Sequence, residues 1–111
     1  MIARKPSIFI YTNSPNEEYL REICAGIEEE GVFFEVFERE YPDVDTLATN
    51  AAVDSMLGSG IGICRNQVVL QMKGLPKGKT VARYVEPNVS ECRIIGANSA
   101  RIIKKMPLKM A

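Results

Sequence analysis

Apolar residues change their period several times along this chain, and the changes mark its elements. Residues 7–12 form a β-branched and aromatic run closed by the turn residues Asn13, Ser14 and Pro15, which predicts a first strand. The spacing then becomes helical, with Leu20, Ile23, Cys24 and Ile27 on one stripe. Ser14 is placed to cap this helix, with Pro15 at its first position, Glu17 completing a capping box, and Gly31 as a left-handed stop. Residues 32–37 again have strand composition. After the break at Tyr41, Pro42 and Asp43, a second helix begins near Asp43 or Asp45, turns Val44, Leu47, Ala48 and Ala51 inward, and ends by Gly58.

Residues 61–64 and 67–72 are both strand-like, and only Arg65 and Asn66 separate them, so an antiparallel hairpin is predicted. Residues 73–79 are turn-rich, and residues 80–85 supply a fifth strand. The last helix opens after Pro87 with Asn88 or Ser90 as cap and Glu91 in its first turn. It carries Ile95, Ile102, Ile103 and Met106 on one face, is limited by Pro107, and gathers Arg101, Lys104 and Lys105 where positive charge complements the helix dipole. Alternating strands and helices with one hairpin imply an α/β fold, a three-layer α/β/α sandwich around a five-stranded mixed sheet. No repeat or linker divides the 111 residues, so a single domain, 1–111, is expected.

Composition narrows the chemistry. Lys plus Arg and Asp plus Glu number 14 each, so no broad field draws the chain to nucleic acid or to an anionic membrane. No apolar run approaches the ~20 residues of a membrane span, and the run after the first residues is too brief for a signal peptide, so a soluble, cytoplasmic protein is expected. Cys24, Cys64 and Cys92 are widely spaced and form no C-x-x-C pair, which argues against a disulfide framework or a zinc site and for thiols in a reducing compartment. Histidine is absent, which removes Ser-His-Asp, Cys-His and His-metal sites together.

Two segments resist a purely structural account. Glu28, Glu29 and Glu30 stand at a helix C-terminus, where each carboxylate opposes the dipole by about 0.3–1 kcal/mol. At 100° per residue, Glu28 and Glu30 flank the apolar stripe while Glu29 falls almost opposite it and should project furthest. The cluster is either a hydrated acidic tip or a carboxylate offered to a partner's metal or basic group. The stretch from Arg93 to Arg101 holds Gly96 inside a predicted helix, at about 1 kcal/mol relative to Ala. Gly96, Ala97, Ser99 and Ala100 let another backbone approach, in an internal contact or at a partner surface, and Asn98 needs a hydrogen-bond partner if buried. By contrast, the glycines at 58, 60 and 62 leave a helix and enter a strand, the reverse of a dinucleotide-binding loop, and residues 73–79 lack the G-K-[ST] ending of a P-loop.

Residues 23–34, ICAGIEEEGVFF, are similar to the helix and strand entry of the small subunit of glycerol and diol dehydratase reactivating factors. The pattern of Arg93, Gly96, Asn98, Ala100, Arg101, Lys104 and Pro107 resembles that family's C-terminal helix, and residues 60–76 resemble its central hairpin, with Gly62, Ile63, Leu75 and Pro76 matching. The resemblance implies a domain of the anticodon-binding type, shared with the dehydratase medium subunit. It implies no catalytic residue and no cofactor in the isolated chain. ATP and Mg would belong to an actin-like large subunit and cobalamin to the client dehydratase. The partners implied are that large subunit and the dehydratase large subunit, with exchange against the medium subunit releasing damaged cobalamin.

Self-association when isolated and residence in a bacterial microcompartment are left open by the resemblance. The partner-binding residues implied are Glu28, Glu29, Arg93, Gly96, Asn98 and Arg101, with Glu29 as a ligand to a metal on the large subunit. The alternative is a medium-subunit-like component of a cobalamin-dependent diol dehydratase that helps bind cofactor. Thr12-Asn13-Ser14 and the Cys64-Arg65 junction depart from the family pattern, which leaves the diol undefined.

Overall fold

A computed structural model describes residues 5–76 and 78–110. Its elements run β1 (Ile8–Pro15), α1 (Glu17–Glu29), β2 (Phe34–Glu38), α2 (Val44–Asp54), β3 (Ser59–Arg65), β4 (Gln67–Met72), β5 (Ala82–Val85) and α3 (Val89–Lys104). The five strands lie in the order β2-β1-β3-β4-β5. β1 is parallel to β2 and β3, whereas β3-β4 and β4-β5 are antiparallel, so the sheet is mixed as expected.

Strand alternation divides the core into two layers. Ile8, Ile10, Ile61, Ile63, Val68 and Leu70 point to one face and pack with Ile23 and Ile27 of α1 and Cys92 and Ile95 of α3. Phe9 and Tyr11 point to the other, where α2 presents Leu47 and Ala51. Two helices therefore cover one face and one covers the other, the α/β/α arrangement read from the element order.

The hairpin turn is the predicted pair. Cys64 is paired with Gln67, leaving Arg65 and Asn66 to turn the chain, with Arg65 at φ 53 in a slot that turns of this kind usually give to glycine. α2 begins one residue after its cap, Asp43, which accepts from the Thr46 backbone N–H at 3.0 Å. α3 begins with a full capping box between Asn88 and Glu91.

The start of α1 differs from expectation. β1 continues through Asn13, paired with Cys64, to Pro15, and Ser14 takes φ 51. The cap passes to Asn16, whose side chain accepts from the backbone N–H groups of Glu18 and Tyr19 at 3.0 and 3.3 Å. Sheet pairing with β3 thus outweighs the local capping box at Ser14 and Glu17.

The glycine run serves packing. Gly58 turns the chain at φ +72. A Cβ on Gly60 would stand 2.2 Å from the backbone nitrogen of Ala52, and one on Gly62 would stand 2.6 Å from that of Ala48. α2 rests directly on the backbone of β3.

Candidate partner interface

Gly96 has an internal role. A Cβ there would meet the carbonyl oxygen of Ile23 at 2.1 Å, and a Cβ on Gly26 would meet that of Arg93 at 2.3 Å. The two glycines face each other's helix, so α1 and α3 cross backbone against backbone. Because the helices touch so closely, the side chains flanking the crossing reach across it.

Arg93 donates to Glu22 through Nε at 2.9 Å and to Glu29 through Nη1 at 2.6 Å. The next residue, Glu30, the C-cap of α1, accepts from Arg101 Nε at 3.1 Å and from Lys104 Nζ at 3.0 Å. Lys104 also donates to the Glu30 carbonyl at 2.9 Å, satisfying a backbone oxygen at the end of α1. The hydrogen bond from Lys104, reinforced by Arg101, holds the Glu30 carboxyl below the usual range against an opposing effect of burial. The seam thus carries basic residues of α3 against acidic residues at the end of α1, and the dipole cost of Glu29 and Glu30 is offset by these cations.

Glu29 is 54% exposed but is not a free projection, because Arg93 holds it. Its position opposite the sheet-facing stripe lies beside α3, which the helical wheel of α1 alone does not reveal. Glu28 is also exposed, and among the described residues it makes no ion pair. Glu22 and Lys104, members of the same network, carry no local anomaly in sequence. Their signal is spacing, since Glu22 and Glu29 are seven apart and Arg93 and Lys104 eleven apart, each pair within about 20° of one line of its helix.

Asn98 is buried at 7% exposure and fully engaged. Its Nδ2 donates to the Lys109 carbonyl at 3.0 Å, and its Oδ1 accepts from the Lys109 backbone N–H at 2.7 Å. α3 ends with Lys105 in the left-handed region at φ 56, so the segment after it doubles back along the helix. Arg101 Nη1 fastens it a second time at the Pro107 carbonyl, 3.1 Å away. Arg101 therefore joins Glu30 of α1 to this returning segment.

Burial pushes the Cys24 and Cys92 thiols up to about 11, with nearby carboxylates adding to the effect. Among the described residues no group of three or more Cys, Asp or Glu side chains could hold a metal ion, so Glu29 could serve a metal only as one ligand among others supplied from elsewhere. Among the same residues no helix is long and apolar enough to cross a membrane.

The family model described as dehydratase medium subunit matches residues 5–109, and the chain belongs to that family. Within it, the resemblance is to subunits that serve a dehydratase. The propanediol dehydratase-reactivating factor small subunit of Citrobacter freundii is 34% identical over 106 residues, covering 94% of this chain and 90% of that protein. The diol dehydratase-reactivating factor small subunit of Klebsiella michiganensis is 31% identical, covering 94% and 84%. A solved glycerol dehydratase reactivase superposes with a TM-score of 0.90 at 25% identity over 96% of this chain and 98% of that one. A diol dehydratase-reactivating factor solved with ADP and Mg2+ superposes at 0.89 with 30% identity over 96% and 100%.

Proposed function

We propose that this chain is the non-catalytic small subunit of a reactivating factor for a cobalamin-dependent glycerol or diol dehydratase. It pairs with a large subunit that binds ATP and Mg, docks on inactivated dehydratase, exchanges with the medium subunit and helps damaged cobalamin leave. The observation that carries the reading is near-complete coverage in both directions by small subunits of reactivating factors, inside a family named for the dehydratase medium subunit. A domain built like the medium subunit can occupy its place, which is what exchange requires.

In this reading the α1/α3 seam faces partners. Glu28 and Glu29 present carboxylates, with Glu29 as the ligand to a metal on the large subunit, while Arg93 and Arg101 hold the acidic side chains in place. Gly96 and Asn98 act from beneath, one setting the helix spacing and the other fixing the segment after α3.

The test uses dehydratase inactivated with damaged cobalamin bound. It is incubated with ATP, Mg2+ and intact cofactor, and with the large subunit, this chain, or both. Recovery of diol-dehydratase activity only with both is expected. Equal recovery with the large subunit alone would overturn the reading. Restored activity in a dehydratase lacking its own medium subunit would instead establish the alternative, a medium-subunit-like component.

A further inference from the structure

The returning segment after α3 is fastened by its backbone while its apolar side chains face outward. Both backbone polar groups of Lys109 are taken by the one amide of Asn98, as a neighbouring strand would take them, and the Pro107 carbonyl is held by Arg101. Yet Met106, Leu108 and Met110, at alternate positions, are 41%, 43% and 89% exposed. A segment that packed for its own stability would bury these side chains, since burial of apolar surface is the main reward for ordering a chain. Here the order is supplied by polar clamps on a buried asparagine, and the apolar surface is left for something else.

Charge identifies the kind of surface that fits. Lys105 and Lys109 flank Met106 and Leu108, and among the described residues neither has a carboxylate partner, whereas the nearby Lys104 and Arg101 share the Glu30 carboxylate. A symmetric pairing with a second copy of this chain would set these lysines against their own kind, which is disfavoured. We propose that residues 106–110 form a preformed docking segment whose Met106, Leu108 and Met110 enter an apolar groove rimmed by carboxylates on the large subunit. This rests on the functional reading above. Preorganisation by Asn98 lowers the ordering cost that a loose segment would meet on binding, and because Arg101 touches both Glu30 and Pro107, the segment and the acidic end of α1 form one continuous surface.

The experiment measures affinity of the full chain for the purified large subunit, beside its sedimentation alone. Leu108→Asp places a charge in the groove from a half-exposed position, so the melting temperature should fall by only a few degrees while affinity falls by about tenfold or more. Lys105→Glu with Lys109→Glu should also weaken binding and reduce its dependence on salt. Asn98→Ala, which frees the segment, should weaken binding by a smaller factor. Parental affinity in Leu108→Asp would overturn the docking segment while leaving the functional reading intact. Loss of self-association with unchanged binding to the large subunit would overturn it in favour of a second copy as occupant. A parental chain that does not bind the large subunit at all would overturn the functional reading and this inference together.

Discussion

Replacing Gly96 by Ala tests whether the α1/α3 seam is set by direct backbone contact. The added methyl would lie 2.1 Å from the Ile23 carbonyl oxygen, 3.0 Å from its carbon and 3.1 Å from the Ile27 nitrogen, against an ordinary contact distance of 3.4–4 Å. Restoring ordinary contact requires the helices to part by more than 1 Å (3.4 − 2.1 = 1.3 Å), and neither obstacle is a side chain that can swing aside. A gap of ~0.5–1 Å forfeits roughly a quarter to a half of each dispersion contact it opens, and Ile23, Ile27, Cys92 and Ile95 all pack in this layer. Overpacking of this kind costs about 1–3 kcal/mol and sometimes more, and two opposed backbones put this site at the upper end. Alanine returns about 1 kcal/mol through its better helix propensity. The net expectation is a loss of about 2 kcal/mol, or roughly 9 °C in melting temperature at ~2.1 cal/mol/K of unfolding entropy per residue. Thermal and urea unfolding followed by circular dichroism measure it. Gly26→Ala should behave similarly, and the double variant should cost less than the sum, because helices already parted meet the second methyl at lower cost. A Gly96→Ala protein as stable as the parent would refute the contact and return Gly96 to a role at a partner surface.

Other outcomes follow from the same network. Glu29→Gln removes a half-exposed ion pair to Arg93, so it should change stability by less than about 1 kcal/mol; in complex with the large subunit it should cost roughly 1–3 kcal/mol of affinity, and equal affinity with and without Mg2+ for both proteins would deny it a metal-directed role. Because the Glu30 carboxyl is held below its ordinary value, its contribution is present above the unfolded value of about 4.3 and is lost as pH falls through the lower folded value. Urea midpoints between pH 6 and 3 should therefore fall less steeply in Glu30→Gln than in the parent, and parallel profiles would contradict this. With thiols raised to about 11, Cys24 and Cys92 should resist iodoacetamide at pH 8 in the folded protein and react once urea unfolds it, as peptide mass analysis would show.

Much of this architecture was legible in local chemistry. Asp43 and Asn88 cap the helices they precede, Arg65 and Asn66 turn the hairpin, and Gly31 stops α1 at φ +73. These signals lie within a few residues of the structure they specify. The misplaced start of α1 arose where a local signal met a distant one, since nothing near Ser14 announces that β1 will pair with β3 as far as Pro15. The seam was less legible for the same reason. Glu29 points away from the sheet, as a helical wheel shows, but it points toward a helix that begins sixty residues later (89 − 29 = 60), and only that neighbour reveals the pair with Arg93. Gly96 read equally as an internal contact or a partner surface because a glycine gives no sign of which backbone approaches it. The clamp between Asn98 and Lys109 lay beyond periodicity altogether, since both residues are polar and eleven apart.

The seating of α2 on Gly60 and Gly62 bears on how this domain can move. At most helix–sheet contacts the side chains between the layers can switch rotamers and let one layer slide. Here the α2 backbone meets the β3 backbone at both glycines, and apart from Leu47 the side chains closest to them, Ala48, Ala51 and Ala52, have no rotamers to exchange. That layer has a single seating. A movement of α2 would carry β3 with it, and β3 lies at the centre of the strand order, bonded to both β1 and β4. The domain is therefore built to move as one stiff plate, and in the exchange proposed above the adjustment would fall to the surface that receives it.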